Sequence, residues 1–260
     1  MKSFSVVAWS LLLSSVAFGA ELPGVPAEAI AEKGEVIFVD DFAGSSRPKE
    51  WHRVVPTFEF VDGALKGTQT RDGSPLTPGP SPSRGEGSQA VVKPHAAVHG
   101  LEIPTSDSVV ECRIKFDGAT MIDVEFTDRK YTGSHYGHIC RAQVRPDKVT
   151  LIDERDGNMK SEIYAIKNDP ARKAEVAKLL VGRSATFPLK TKLETGRWYD
   201  LVVETVGDEM RVTLDGKPVG YLKSSGIAHA TKSKIELGVA GKSGWFDDVR
   251  VSAAKPRTRR

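Results

Sequence analysis

The chain has 260 residues, of which 39% are hydrophobic and 27% are charged, and its formal net charge is +3. This composition is typical of a globular protein with a full core and excludes a low-complexity or fibrous chain. Basic residues concentrate only in the tail 253–260, which we interpret as a solvated terminus. A nucleic-acid partner is not expected, because the body of the chain is nearly neutral.

The first 20 residues have the features of a secretory signal peptide. Lys2 gives a short positive start, residues 6–16 are mostly apolar, and residues 17–20 offer small side chains for cleavage. The apolar stretch is too short to span a bilayer, and no later stretch reaches that length. We therefore expect an exported protein, secreted or periplasmic, without a membrane span. Residues 21–34 follow as a leader segment.

Strand patterns begin at residues 36–39 and continue to residue 251. The later runs are short and are separated by turn signals such as Asp-Gly. They cover residues 108–116, 121–127, 137–144, 149–153, 198–206, 210–214, 235–240 and 245–251. Many short strands at close spacing predict one all-β sandwich or barrel, here over residues 35–252.

Two segments depart from the strand pattern. Asp169 can cap a helix, Pro170 suits its first position and Gly182 suits its end, so one short helix is predicted over about 170–181. Residues 73–88 contain four prolines and four glycines. Such a run cannot build a packed element, and we interpret it as a disordered loop insert without a function of its own.

Charged side chains share single faces of two predicted strands. Side chains alternate along a strand, so Glu111 and Arg113 lie on one face of their run, and Asp123 and Glu125 on one face of the next. These faces are either a solvated sheet surface or a concave sheet that lines a sugar groove. We favour the groove for the central strands, with Glu111 and Arg113 as candidate substrate-binding residues.

The densest group of polar side chains lies in residues 128–141. Loops on a rigid β scaffold often carry functional sites, and histidine is suited to proton transfer near neutral pH. The candidates are His135, His138, Lys130 and Arg141 for chemistry, with Tyr131 and Tyr136 for substrate binding. The two histidines lack the i, i+2 spacing that puts two ligands on one strand face, so a zinc site is disfavoured.

Asp123 and Glu125 are also a candidate carboxylate pair. Their Cβ atoms lie about 7 Å apart on a strand, which would suit a two-carboxylate glycosidase. The run 121–125 resembles the shorter acidic motif of family 16 glycoside hydrolases, but Met121 stands where that family places its nucleophilic glutamate. This departure removes the group that would attack the anomeric carbon, so a conventional retaining mechanism is not expected.

A series of motifs extends over most of the chain: residues 38–42, Trp51, residues 60–67, 196–199, 214–220 and 244–249. Together they resemble the 3-keto-disaccharide hydrolase-like domains of bacterial secreted proteins, which are often loosely labelled family 16 glycoside hydrolases. The resemblance covers about residues 35–251 apart from the insert. It implies a concanavalin A-like jelly-roll β-sandwich of the lectin/glucanase kind.

The resemblance also implies a carbohydrate partner, either an oligosaccharide or an oxidised glycoside. A 3-keto group acidifies the hydrogen at C2, so a base can remove it, the glycosidic oxygen can leave, and water can add afterwards. Such a site needs a base, an enolate stabiliser and an acid. We assign these roles to His138 or His135, to Arg141 or Lys130, and to Asp123 or Glu125, respectively. The alternatives are a non-catalytic carbohydrate-binding module and a structural sandwich without a ligand.

Two further features concern cofactors and redox state. Lectin/glucanase-like sandwiches often hold a structural Ca²⁺ near their terminal strands, so the resemblance makes Asp40, Asp247 and Asp248 candidate ligands. The alternative is that these aspartates end strands or pair with Lys and Arg. Cys112 and Cys140 lie in strand-like runs and form either a disulfide or two buried thiols. No other cofactor is expected, and the oligomeric state is left open.

Overall fold

The computed structural model describes residues 24–44, 47–54, 57–69 and 95–258. The predicted signal peptide and the Pro/Gly-rich insert lie outside these residues. The described strands are β1 (Ala31–Asp40), β2 (Trp51–Arg53), β3 (Phe58–Val61), β4 (Ala64–Gly67), β5 (Ala97–Leu101), β6 (Ser108–Thr127), β7 (His138–Arg145), β8 (Lys148–Asp153), β9 (Ser184–Pro188), β10 (Trp198–Val206), β11 (Glu209–Leu214), β12 (Lys217–Lys223) and β13 (Lys234–Pro256). The described helices are α1 (Ser161–Ile166) and α2 (Lys173–Leu179), with 3₁₀ turns at His135–Gly137, Pro170–Arg172 and Ser225–Ala228.

Two long antiparallel strands, β6 and β13, organise the fold, because each passes through both layers of a sandwich. The first half of β6 and the second half of β13 belong to the back layer, in the order β12-β11-β10-β6-β13, which β1 and the β4-β3 pair extend. Their other halves belong to the front layer, in the order β9-β8-β7-β6-β13-β5-β2. The architecture is an all-β jelly roll, as predicted.

The bend between the layers is built at glycines. The β6–β13 register shifts between Ala240, Gly241 and Ser243, and strands that cross from one layer to the other usually bend at such bulges. Gly118 and Gly241 take φ values of +78° and +97°, which side chains other than glycine rarely adopt. The bend of β6 at Gly118 and the bend of β13 at Gly241 therefore lie at the same corner of the sandwich.

The core fills the space between the layers. Strand alternation turns Ile114 and Phe116 inward in the back layer and Val124 and Phe126 inward in the front layer, all fully or almost fully buried. Burial of each such side chain stabilises the fold by about 1.5–3 kcal/mol. No helix among the described residues is long and apolar enough to cross a membrane.

Both cysteines face this core as free thiols, so the disulfide alternative does not apply. Cys112 lies in the back layer and Cys140 in the front layer. Burial raises the pKa of each thiol to about 12.

The helical region matches the predicted helix in part. Asp169 Oδ1 accepts a hydrogen bond from Ala171 N at 2.9 Å, and the 3₁₀ turn that it caps leads directly into α2, which ends at Leu179. Gly182 follows with a φ of +71°. Helix α1 was not predicted from the sequence.

The ends of the sandwich extend beyond the predicted limits of 35 and 252. β1 begins at Ala31, inside the predicted leader, and pairs with β13 as far as Pro256, inside the predicted tail. A buried ion pair between Arg211 and Glu204 binds the backbone of the segment that leads into β1. Arg211 donates to Pro26 O at 2.9 Å and to Ala27 O at 3.0 Å, and Glu204 accepts from Ala31 N at 3.1 Å.

Candidate functional site

A cleft of about 1030 Å³ lies on the outer face of the front layer. It is lined by β5, β6, β7 and β13, by the loop 129–137, and by α1 through Tyr164. The cleft brings together seven of the residues predicted from the sequence: Asp123, Glu125, His135, His138, Arg141, Tyr131 and Tyr136.

Arg141 lies at the centre of the charge network in this cleft. Its guanidinium reaches Asp123 Oδ2 at 3.3 Å, Glu125 Oε1 at 2.9 Å and Glu154 Oε1 at 2.5 Å. The β6–β7 register explains the first two contacts, because Glu125 lies directly opposite Arg141 and Asp123 is two residues away on the same face. Three carboxylates thus share one cation that is only 13% exposed.

The network shifts the pKa values of its carboxyl groups in different directions. Burial raises the pKa of Asp123 to about 6 and that of Glu154 to about 7, although the charge of Arg141 acts in the opposite sense on both. Burial would also raise the pKa of Glu125, but Arg141 and His138 outweigh it and the pKa lies below its usual value. Glu125 is therefore the carboxylate of the network that stays ionised to the lowest pH.

The pKa values of the two histidines of the cleft also shift in opposite directions. Burial alone would lower the pKa of His138, but its ion pair with Glu125 raises the pKa above the ordinary value. Burial and the charge of His138 lower the pKa of His135. The ring of His135 stacks on Tyr164 at a centroid distance of 3.7 Å and lies 6.2 Å from the ring of His138. One imidazole thus favours its neutral form and its neighbour the protonated form.

Strand β13 supplies residues that the sequence analysis missed. Glu236 lies directly opposite Glu125 and pairs with Lys234 Nζ at 2.5 Å. Gly238 lies opposite Asp123, where a methyl group would collide with the carboxylate. Lys234 and Glu236 alternate with the buried Ile235 and Leu237, a pattern visible in the sequence, but only the β6–β13 pairing shows that they face the cleft. Glu154 comes directly after β8, and no pattern in the sequence marked it as a site residue.

Glu125, His138 and Glu236 could together hold a metal ion, since one ligand atom from each lies within 4.8 Å of the others. Imidazole and carboxylate ligands suit a first-row divalent metal. However, Arg141 already pairs with Glu125 and Lys234 with Glu236. Two neighbouring cations repel a divalent ion, so no chemical step is assigned to a metal here.

The three aspartates proposed for Ca²⁺ do not fit such a site. Asp40 uses both carboxylate oxygens as acceptors, from Phe42 N at 2.8 Å and from Trp51 Nε1 at 2.7 Å. Asp247 and Asp248 pair with Arg113 at 3.3 Å and 3.2 Å. The alternative interpretation, in which they end strands and pair with protein groups, describes their contacts.

Three of the predicted catalytic and substrate-binding residues do not line the cleft. Glu111 and Arg113 lie on the outer face of the back layer, because β6 changes layers at Gly118 between them and Asp123. Glu111 pairs there with Lys33 at 2.6 Å. Lys130 is exposed and does not belong to the lining of the cleft.

The fold defines a class, the concanavalin A-like jelly-roll β-sandwich. No family model matches the sequence, and no curated protein matches it. Among solved structures, the chain is similar to SCLam, a non-specific endo-β-1,3(4)-glucanase from family GH16, with 11% identity, a TM-score of 0.57, and coverage of 92% of this chain and 98% of that one.

Two other solved structures show the same fold. A β-glucanase from Bacillus licheniformis is 11% identical with a TM-score of 0.52, and the match covers 85% of this chain and 99% of that one. A GlcNAcα1-4Gal-releasing endo-β-galactosidase from Clostridium perfringens is 13% identical with a TM-score of 0.56, and the match covers 91% of this chain and 66% of that one. At these identities the comparisons establish the fold.

Proposed function

We propose that the protein binds a carbohydrate in the cleft and breaks the glycosidic bond of a 3-keto-glycoside by elimination. The observation that carries the proposal is the pair of neighbouring imidazoles, His135 and His138, whose pKa values shift in opposite directions beside Arg141. Titratable groups separated in this way are typical of sites that move protons in both directions. Export, proposed from residues 1–20, would bring the protein to glycans outside the cytoplasm.

In the proposed reaction, neutral His135 removes the proton at C2 of the sugar. The electron pair of the C2–H bond forms a C2=C3 double bond, and the C3 oxygen becomes an enolate that Arg141 stabilises by its charge. The enolate then re-forms the C3 carbonyl, a C1=C2 double bond forms, and the bond from C1 to the leaving oxygen breaks. Protonated His138 gives its proton to that oxygen, and water then adds across C1=C2.

A second candidate function is carbohydrate binding without catalysis. It is favoured by Met121, which lines the cleft at the position where the family 16 motif has its nucleophile, and by the internal ion pairs that already satisfy Asp123, Glu125 and Glu236. In this case the cleft would hold a glycan through hydrogen bonds and through the exposed ring of Tyr136.

The test uses 4-nitrophenyl 3-keto-β-glucoside and the unoxidised parent glucoside as matched substrates. We expect nitrophenol release from the keto substrate alone, and a decrease of roughly 100-fold or more in kcat for His135→Ala and for His138→Ala. Lys178→Gln, on the exposed surface of α2, is the control and should leave kcat unchanged.

The other outcomes separate the candidates. A folded wild-type protein that releases nothing from the keto substrate would rule out the elimination. Equal release from the parent glucoside would indicate an ordinary glycosidase. If the wild type binds glycan without turnover, and this binding persists in a variant that combines Asp123→Ala, Glu125→Ala and His138→Ala, the binding module is the better description.

A further inference from the structure

A row of alternating tryptophan and lysine crosses the outer face of the back layer, on the side of the sandwich opposite the cleft. Trp198 on β10 lies directly opposite Lys115 on β6, which lies opposite Trp245 on β13, which lies opposite Lys66 on β4. All four side chains are half-buried. We call this set the Trp–Lys row.

The lysines of the row lie against the indole rings. Lys115 Nζ is 4.6 Å from the ring centroid of Trp198 and 4.3 Å from that of Trp245, and Lys66 Nζ is 5.2 Å from that of Trp245. Neither lysine forms an ion pair with any residue that the structure describes. Two unpaired cations therefore adjoin two aromatic rings, held only by weak cation–π contacts that a ligand can replace.

An anion on this surface would bind at the lysines of the row, because the nearest arginine is already paired with carboxylates. Arg113 lies next to the row, with Cζ 4.9 Å from the Trp198 ring, but Asp247 and Asp248 already neutralise it. The remaining positive charge of the row lies on Lys115 and on Lys66, and Glu59 on β3 lies directly opposite Lys66. Lys115, between the two indole rings, is therefore the main position for an anion. Lys115 lies over both half-buried indole rings, so an anion that draws Lys115 away from them also uncovers ring surface for a ligand.

The spacing of the row points to an extended chain. Two strand spacings separate Trp198 from Trp245, which is roughly 10 Å. This distance corresponds to alternate sugars of an extended β-linked polysaccharide. We infer that the Trp–Lys row binds an acidic, β-linked polysaccharide that runs across the strands, with sugar rings stacked on Trp198 and Trp245 and carboxylates paired with Lys115 and Lys66.

Two cellulose derivatives test this site, because carboxymethylcellulose carries carboxylates on the β-linked backbone and hydroxyethylcellulose carries none. Native affinity electrophoresis of the full chain measures binding to each. We expect retardation by carboxymethylcellulose that weakens as salt is added. Trp198→Ala, Trp245→Ala and Lys115→Gln should each reduce the affinity about tenfold, while Lys178→Gln, the surface control, should not.

The cleft variant Glu125→Gln separates this site from the proposed active site and should bind carboxymethylcellulose like the wild type. Lys115→Gln keeps most of the aliphatic stem, so its thermal midpoint checks that lost binding is not lost folding. The inference is overturned if the wild type does not bind carboxymethylcellulose, or if hydroxyethylcellulose binds equally well. It is also overturned if Lys178→Gln or Glu125→Gln loses as much affinity as the row variants, or if the tryptophan variants lose none.

Discussion

Arg141 balances three buried carboxylates, and this makes the cleft sensitive to one substitution. In Arg141→Met, Asp123, Glu125 and Glu154 would remain buried without their shared cation. We expect a loss of about 3–5 kcal/mol in the free energy of unfolding at pH 7.5. Urea unfolding measures the loss. Arg172→Met, which removes only an exposed ion pair with Glu175, is the control and should have little effect on stability.

The pH dependence of this loss follows from the raised pKa values of Asp123, about 6, and Glu154, about 7. Those values apply with Arg141 present, and loss of its charge raises both further. As the pH falls, the variant therefore binds these protons before the wild type does, and the repulsion between the groups is removed. The deficit relative to wild type should therefore shrink between pH 7.5 and pH 5. A deficit that stays constant over this range would contradict a charge-based explanation.

His99 is a buried histidine whose protonation opposes folding. Its ring stacks on Trp51 at 5.1 Å, and neither ring nitrogen has a hydrogen-bond partner among the described residues. Burial lowers its pKa to about 4. The unfolded chain binds this proton at higher pH than the folded one, so the stability from neutral His99 is complete above about pH 6.5 and is lost as the pH falls towards 4.

His99→Phe removes this titration while it keeps a flat ring in the core. We expect the variant to gain up to about 3 kcal/mol relative to wild type when the pH is lowered from 7 to 4.5. Chemical denaturation of both proteins at the two pH values gives this difference. An identical pH dependence in the two proteins would show that His99 does not contribute to acid unfolding.

At the residue scale, the sequence predicted part of the site. Strand alternation placed Asp123 and Glu125 on one face, and the density of polar groups marked His135, His138 and Arg141. Glu154 and Glu236 escaped prediction because alternation describes one strand at a time. Only strand pairing shows which residues of other strands share that face.

At the scale of elements, the bend between the layers depends on Gly241. Its φ is +97°, and a Cβ atom there would lie 2.6 Å from Thr120 N. We expect Gly241→Ala to lower the free energy of unfolding by about 1–3 kcal/mol, because both the backbone conformation and the close contact oppose a side chain. Gly24→Ala, where a Cβ would meet nothing within 4 Å, is the matched control in urea unfolding.

Equal stability of the two glycine variants would show that the bend tolerates a side chain.

The same bend explains why the prediction that Glu111 and Arg113 line the groove was wrong. Alternation predicted the two faces of residues 109–116 and of residues 121–126, but a bulge at residues 117–120 moves the first run to the other layer. A glycine in a turn signal does not reveal whether a strand ends or continues in a different sheet.

At the scale of the whole molecule, the segment before β1 closes one side of the sandwich. Ile30 is buried, and the Arg211–Glu204 pair is satisfied by the backbone of residues 26–31. A protein that starts at residue 31 loses both carbonyl acceptors of Arg211. We expect it to be about 3 kcal/mol less stable than one that starts at residue 24. Equal thermal midpoints for the two proteins would contradict this role.

The architecture as a whole was predicted from the number of short strands and the turns between them. The pairing of β6 with β13 was not, because these strands are separated by more than a hundred residues and no local pattern encodes the contact. This long-range pairing decides where the cleft lies.

The two buried thiols make the opening of each layer measurable without introducing a cysteine. Cys112 lies in the back layer and Cys140 in the front layer, and with a pKa of about 12 neither forms the reactive thiolate at neutral pH in the folded state. A disulfide reagent can reach either one only after its layer has separated from the core. The modification rates of the single variants Cys112→Ala and Cys140→Ala would therefore report whether the two layers open together or one before the other.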